Sequence, residues 1–458
     1  QANARSELLP TDGPVKVRSD ATNAQPGEPE LATALETDLN HYLTVTASEY
    51  YPDTDRMLLM LGFGGTTFKK VYFCPIRNRP VSETVDADDL IVNNSATDLR
   101  NARRVTHRFV MKPSTLKRLQ ILGVYRDIEL GTPQPVSLDS VQRERKDQQG
   151  LAQSTSNPDD REYEAYECLC ELDIPGYEHK IKGKSSGLEL PYRVTIDKSS
   201  RQILSIVRNY NEEDGDLPEA LELFVKYTFV PGFGFYDIGL LNILGNTTNA
   251  MTAAWRELLD AGMYACFPGF LYSDTAGRQN TNVFRVPPGG GAPIKTGGMS
   301  ISQAIMPLPY KEPSQALMML VDNMAQTGMR IGGTSEQQVG EGRADAPVGT
   351  TLALIEQATK VLNSVHKRLH ASQAREFQLL VRVFQDHPES FWQRNRKPTL
   401  PWDEEKFRQA LSDCDLIPQA DPNTASHAQR VMKIMALKQL QAAQPSLYNP
   451  IAIDKAAL

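Results

Sequence analysis

The segment QVGEGRADAPVGTT, residues 338–351, holds residue types that could do chemistry. Glycine-rich loops that open helices can cradle phosphates, and glycines stand here at 340, 342 and 349. A P-loop also requires Gly-Lys-Ser/Thr at its end, where the lysine meets the β- and γ-phosphates. Gly349 is followed by Thr350 and Thr351, and the segment contains no lysine. The pattern therefore does not predict a nucleotide site, and it favours Thr350 as the N-cap of the following helix.

Two histidines could bind a metal. His366 and His370 stand four residues apart and would share one face of a helix. The zincin motif requires glutamate directly after the first histidine, and this chain has Lys367 there. Because Arg368 also lies beside them, the pattern favours a solvated basic helix face over a metal site.

Two cysteines form a third candidate site, which could bind a metal. Cys168 and Cys170 lie in EYEAYECLCELDI, whose alternation predicts a strand with both thiols on one face. A structural role explains them better than a metal. The five cysteines are odd in number and scattered along the chain, which is typical of a reducing compartment.

Composition excludes several classes of protein. The 458 residues are 40% hydrophobic and 23% charged, with a net charge of −7, which argues against a general polyanion binder. No long uncharged apolar run predicts a membrane helix, and no signal-peptide core follows Gln1. A start without methionine indicates that the native chain begins upstream. No Ser-His-Asp or Cys-His arrangement emerges, so we expect no enzyme, no cofactor and no metal.

The elements that would position these residues fall into two regions. Up to Gly239 the patterns mix helices and strands without regular β-α alternation, which indicates an α+β class. They predict an extended arm or a disordered lead over residues 1–30, then helices at Pro29–Ser48 and Thr54–Gly62 and strands around a turn at 78–80. A helix from Pro113 to a stop at Gly123 follows, then irregular chain at 131–160 and a hairpin of Arg193–Asp197 with Gln202–Tyr210.

Beyond Gly239 helical stripes dominate. The first runs from Leu240 to Gly262 and contains Trp255. The patterns then predict short strands at 270–274 and 282–286, a helix from Pro313 that Gly332 ends, a long helix at Thr350–Asp386, and a last helix from Asn423 or Ser426.

This order of parts resembles the portal proteins of tailed bacteriophages, in the branch of the short-tailed Salmonella phage P22. The resembling segments include YTFVPGFGFYDIGLLNILG and MPLPYKEPSQALMMLVDNMAQTGMRI. All the resembling segments together cover residues 87–127, 227–245, 306–331, 337–380 and 417–441.

The resemblance implies a portal fold with an α/β wing, a helical stem, a small β-containing clip, a long wing helix and a helical crown. By position, the wing would comprise 1–236 and 387–415, the stem helices 237–264 and 312–332, the clip 265–311, the tunnel loop 333–349, the long wing helix 350–386, and the start of the crown 416–458. Members of this branch continue into a longer crown.

The implied function is a channel. Twelve copies would form a ring at one capsid vertex of the virion, assembled in the host cytoplasm, through which double-stranded DNA is packaged and ejected without sequence specificity. The ring would contact capsid and scaffolding proteins and dock a terminase motor, which hydrolyses ATP, and later a tail adaptor. A helical scaffold protein of the virion without a channel is the alternative.

Two residue sets carry the implied contacts. A DNA-facing loop needs mobility and modest charge, because clustered Lys and Arg would bind phosphates and slow sliding. The loop set is Glu336, Gly340, Glu341, Gly342, Arg343, Asp345 and Gly349. The clip set, expected to dock partners, is Phe270, Tyr272, Arg278, Phe284, Arg285 and Lys295.

Overall fold

A computed structural model describes the chain over most of its length. The described residues are 2–19, 28–134, 161–181, 184–211, 217–266, 270–272, 305–307, 314–331, 348–393 and 397–419, with single residues at 143, 144, 147, 150, 300, 395 and 438. The chain divides into two compact units, Gln1–Leu240 with Thr359–Leu458 and Leu241–Ala358.

The first residues differ from the predicted extended arm. They form helix α1 (Ala2–Leu8) and strand β1 (Val15–Ser19). Leu8, Leu9 and Val15 are buried in the main core of the first unit, and this burial holds the segment in place. β1 pairs antiparallel with the last strand, β14 (Cys414–Pro418). The predicted start of the crown at 416 therefore falls within a strand of the first unit.

The next two helices confirm the sequence prediction with shifted ends. Helix α2 spans Glu28–His41 and continues as a π-helical turn over Tyr42–Thr46. Helix α3 spans Tyr50–Gly64. Residues at four-residue spacing in the first of these segments, such as Leu35 and Leu39, are buried, as an amphipathic helix requires.

Two antiparallel sheets follow. The three-stranded sheet has the order β11-β2-β3, and the five-stranded sheet has the order β10-β9-β6-β5-β4. The strands are β2 Thr66–Cys74, β3 Arg79–Val85, β4 Leu90–Val92, β5 Arg104–Met111, β6 Tyr163–Leu172, β9 Leu190–Asp197, β10 Ile203–Arg208 and β11 Phe224–Thr228, with a small pair, β7 Lys180–Ile181 and β8 Lys184–Ser185. Helix α4 is Pro113–Ile121. The two predicted hairpins are confirmed, and Asn78 and Arg201 in their turns have positive φ of 49° and 57°.

The second unit contains two helices and a strand pair. Helix α5 spans Leu240–Cys266 and helix α6 spans Gln315–Ile331. Strands β12 (Phe270–Tyr272) and β13 (Ile305–Pro307) pair antiparallel. The predicted strand at 282–286 lies outside the described residues. Within the described ranges, no helix combines the length and apolarity that crossing a bilayer requires.

Helix α7 is the longest element. It spans Val348–Asp386, 39 residues, and is followed by α8 (Glu389–Trp392) and α9 (Glu404–Asp413). Because the helix begins at Val348, Gly349 and Thr350 lie in its first turn. The helix thus begins two residues before the predicted start at Thr350. The predicted last helix, from Asn423 or Ser426, lies outside the described residues.

Gly65 joins α3 to β2 at a point where only glycine fits. Its φ is 91°, and a Cβ built there would lie 2.4 Å from the backbone nitrogen of Gly239. Gly65→Ala is therefore expected to lower the free energy of unfolding by more than about 1 kcal/mol. Gly64→Ala is the matched control, since a Cβ there meets nothing within 4 Å. Thermal unfolding of both variants checks this, and equal melting temperatures would contradict it.

Candidate functional site

The C-terminal half of helix α7 binds the outer edge of strand β11 through four polar side chains, which we call the edge clamp: Arg368, Ser372, Arg375 and Arg382. Arg368 Nη2 donates to the carbonyl of Phe229 at 2.6 Å, and Ser372 Oγ donates to that of Lys226 at 2.9 Å. Arg375 Nη2 binds the Glu222 carboxylate at 2.6 Å, and Arg382 donates to the backbone carbonyl of Glu222.

The lengths of the two elements match. The helix rises about 21 Å from Arg368 to Arg382 at about 1.5 Å per residue. Strand residues from Glu222 to Phe229 span about 23 Å. The helix therefore binds one carbonyl of an edge strand and one on each side of it, groups that would otherwise be open to pairing with another chain.

One helical turn after Ser372, α7 also carries a buried carboxylate. Glu376 has no exposed surface, and its two oxygens accept hydrogen bonds from Ser82 Oγ at 2.6 Å and from the Tyr227 hydroxyl. Burial, and then the charge of Glu376, raise the pKa of Tyr227 well above its ordinary value. The hydroxyl therefore stays protonated and donates. Through these bonds α7 is joined to both β3 and β11.

The prediction that His366 and His370 lie on a solvated basic face of the helix was wrong in part. Lys367 is exposed as expected, but His366 is only 8% exposed and its Nε2 lies 2.5 Å from Glu7 Oε2. Arg368 belongs to the edge clamp. Successive helix residues point about 100° apart, so one run of basic residues can supply both buried and solvent-facing groups.

A charged cluster joins the two sheets. Lys70 Nζ, on β2, lies 2.5 Å from Glu167 Oε2, on β6. His107 Nδ1 is 3.7 Å from the same oxygen, and Arg193 Nε is 3.8 Å from the other. Burial opposes the charge of Glu167, but Lys70, His107 and Arg193 outweigh it and hold its pKa far below its ordinary value.

The same cluster predicts loss of stability in acid. Burial, together with Lys70, lowers the pKa of His107 below its ordinary 6.5, and the pKa of Glu167 lies below its ordinary 4.5. In both cases the unfolded chain binds a proton that the folded chain excludes, so falling pH favours unfolding. We expect the melting temperature to fall between pH 7 and 5, and His107→Gln to flatten that slope. An unchanged slope in the variant would contradict the assignment.

The two cysteines of β6 take a structural place. Cys168 Sγ lies 3.6 Å from Thr106 Oγ1 on the neighbouring strand, and both Cys168 and Cys170 are free thiols. Among the described residues, no group of three or more His, Cys, Asp or Glu side chains is arranged to hold a metal.

The helices of the second unit expose large apolar side chains. On α5, Trp255 and Leu259 are 48% and 67% exposed, and Met263 continues the same four-residue spacing. On α6, Met318 and Met329 are exposed and lie about three helical turns apart on one face. Each helix also has a buried position, Ala254 and Val321 respectively. The exposed apolar sides suit contacts with another protein surface.

Few of the residues that the sequence singled out lie in the described ranges. Phe270 and Tyr272 are the ends of β12, and Gly349 is in α7. The others lie outside the described residues: Glu336, Gly340, Glu341, Gly342, Arg343 and Asp345 of the predicted loop, and Arg278, Phe284, Arg285 and Lys295 of the predicted clip. Sequence reasoning missed the edge clamp and the charged cluster around Glu167 that joins the two sheets. The basic residues of α7 gave a signal for the clamp, but nothing local distinguished buried from exposed.

Comparison with known families matches residues 28–456 to the model of the phage SU10 portal protein. The chain belongs to the phage SU10 portal protein family. A comparison with curated proteins found no match. Membership confirms the resemblance to portal proteins of the short-tailed, P22-like type. The family is structural and its members are virion components at the capsid vertex. The helices and sheets of the fold confirm the α+β class.

Proposed function

We propose that this portal protein closes into a ring, of twelve copies in the virion, whose channel passes double-stranded DNA during packaging and ejection. The family match over residues 28–456 carries the proposal. In this proposal the wing comprises residues 1–236 and 387–415 with the long helix 350–386, and α5 and α6 are the stem helices. The clip is 265–311, the tunnel loop is 333–349, and the crown starts at 416.

The exposed apolar sides of α5 and α6 support a ring. A monomeric protein gains nothing by exposing Trp255, Leu259, Met318 and Met319, whereas a neighbouring copy would bury them. Methionine adapts its shape to irregular contacts, which suits subunits that shift against one another as DNA passes. Head-to-tail contacts between identical copies close into a ring when the rotation angle between neighbours is a whole-number fraction of 360°. Electron micrographs of the purified chain test this directly.

The DNA contact is assigned to the predicted tunnel loop. Its charged residues are Glu336, Glu341, Arg343 and Asp345, an acidic excess that gives phosphates little to bind. Its glycines allow the backbone to change conformation.

We therefore expect Glu341→Lys with Asp345→Lys to slow DNA packaging most at low salt, where phosphate attraction is least screened. The substitutions add positive charge in every subunit of the ring. Glu404→Lys with Glu405→Lys on the exposed side of α9 is the matched control, since it makes the same charge change elsewhere. The measurement is DNA length per particle against ionic strength. Full heads at low salt in the loop variant would place the DNA contact in another part of the chain.

The clip is assigned to docking of the terminase and, later, of the tail adaptor. The candidate contacts remain Phe270, Tyr272, Arg278, Phe284, Arg285 and Lys295. Replacing residues 286–298 with a short linker tests the part of the clip that contains Lys295, and it leaves both stem helices intact. Rings that still bind the adaptor would place the docking surface outside residues 286–298. The alternative function is a scaffold protein without a channel. Electron micrographs of such a protein would show no rings with a central hole.

A further inference from the structure

The first segment of the chain, residues 2–19, contains α1 and β1, and we call it the strap. It lies within the first unit. The family match begins at residue 28, where α2 begins, so the strap lies outside the matched residues. Family membership therefore assigns it no role, and its contacts are the guide to what it does.

Helix α2 holds one edge of β1 through polar side chains. Asn40 Oδ1 accepts a hydrogen bond from the Val15 amide at 3.0 Å, and Asn40 Nδ2 donates to the Val15 carbonyl at 2.8 Å. The Glu36 carboxylate accepts from the Val17 amide at 2.9 Å. Because β14 pairs with the other edge of β1, side chains of α2 here take the place of a neighbouring strand.

The other edge of β1 holds β14. Val15 lies opposite Pro418, and the Gln419 amide extends the pairing with a hydrogen bond to the Pro14 carbonyl at 2.8 Å. β1 and β14 form a two-stranded sheet, and in the described part of the chain β14 pairs with no other strand. The strand pairing that holds β14 is therefore supplied by the strap.

The beginning of the strap binds α7. His366 Nε2 lies 2.5 Å from Glu7 Oε2, and Gln373 Nε2 donates to the Leu8 carbonyl at 3.1 Å. Both side chains of α7 belong to buried residues, and they lie about two helical turns apart. The strap thus connects the long helix at one end to β14 at the other.

The strap is held less strongly than the sheets of the same unit. Its helix has seven residues, fewer than an isolated helix needs to persist in water. Its ion pair with α3, between Arg5 and Asp55 at 3.4 Å, leaves the arginine side chain 62% exposed, and such pairs add little stability. Strand β6, in contrast, is paired on both sides. Segments with few buried apolar contacts open locally before the core does. The buried side chains that the strap adds to the main core are Leu8, Leu9, Val15 and Val17.

We propose that the strap is a releasable tie for the C-terminal part of the chain. When the strap opens, β14 loses its strand partner and is released with it. When the strap closes, the chain after Asp413 is fixed to the core again. The inference concerns a single chain, so it stands whether or not the ring forms. One consequence alone rests on the proposed function: because the crown starts at 416, the strap sets whether the start of the crown is fixed to the wing.

Hydrogen–deuterium exchange of the full chain, measured by mass spectrometry, tests the order of opening. We expect the amides of 15–19 and 414–419 to share one protection factor, at least about tenfold lower than that of β6, Tyr163–Leu172. Protection of β14 equal to that of β6, or unrelated to that of β1, would overturn the proposal.

A substitution on α2 tests whether the strap controls β14. Asn40→Ala removes both hydrogen bonds from α2 to Val15, and we expect the protection of 414–419 to fall by about a further tenfold. Thr37→Ala, at an exposed position of the same helix, is the matched control and should leave that protection unchanged. A loss of protection at 15–19 with no change at 414–419 would overturn the tie.

A disulfide variant closes the strap permanently. Arg18→Cys with Asp415→Cys places two thiols at exposed, facing positions of β1 and β14 and leaves the net charge unchanged. Cα atoms of facing residues in an antiparallel pair are about 4.5–5.5 Å apart, a distance that a disulfide spans.

With that disulfide formed, as peptide mapping confirms, the protection of 414–419 should rise by about tenfold, and a reducing agent should return it to the parental value. Unchanged protection in the oxidised chain would overturn the proposal. This measurement decides the matter if Asn40→Ala does not fold.

Discussion

A chain that carries Trp255→Ser and Leu259→Ser is expected to fold normally and to remain monomeric where the parent chain closes rings. Both side chains are exposed in the single chain, at 48% and 67%, so their truncation removes little from the core. In a ring they would be buried at every interface. Tryptophan is enriched among interface residues whose truncation costs 2 kcal/mol or more, about a 30-fold loss of affinity per contact.

The matched control is Arg256→Ser with Asp260→Ser. These residues lie one position along the same helix, both are exposed, and their removal leaves the net charge unchanged. Light scattering on a sizing column gives the mass of each species, and far-UV circular dichroism checks the fold. Rings of parental mass in the Trp255 and Leu259 variant would show that this side of α5 is not the interface.

The second large effect is expected on stability. Glu167→Gln leaves the ammonium group of Lys70 without its counter-ion, and the two side chains are only 11% and 10% exposed. Breaking a buried ion pair on one side typically lowers the free energy of unfolding by about 3–5 kcal/mol. We therefore expect the melting temperature to fall by several degrees and protease resistance to fall with it.

Two comparisons isolate the cause. Glu164→Gln, on the same strand, breaks the pair with Lys198, whose side chain is 39% exposed, and should cost no more than about 1 kcal/mol. Lys70→Met with Glu167→Leu removes both charges and should recover much of the lost stability, since apolar replacements of buried pairs are often neutral. If the double variant were no more stable than Glu167→Gln, packing rather than charge would explain the loss.

Elements with local signals were the ones that the sequence predicted well. Helix α3 and both hairpins follow from apolar spacing and turn residues. Strand pairing of β1 with β14 could not be predicted, because the partners lie at opposite ends of the chain. The burial of charged side chains could not be predicted either. Lys69 and Glu376 have no exposed surface, whereas lysine and glutamate are usually exposed to solvent.

The candidate sites show the same division. The apolar stripe on α5 was predicted. Which of its residues are exposed was not predicted, since apolar residues occur all around the helix. Trp255 is half exposed and Ala254, one residue earlier, is buried. Loop and clip residues came from resemblance to a family, because mobility and docking leave no spacing pattern of their own. The groove of about 880 Å³ that both Arg100 and Arg382 line has no sequence signal, since its walls come from segments so distant along the chain.

The edge clamp also limits how the length of the chain can change. Inserting a single residue between Arg368 and Ser372 would rotate the rest of α7 by about 100° relative to β11. Arg375 and Arg382 would then point away from Glu222, and Glu376 would leave Ser82 and Tyr227. Insertions and deletions are therefore confined to segments outside this stretch of helix. Diversification of such a protein by changes in length must use segments outside residues 368–382, whereas this stretch of the long helix can change only by substitution.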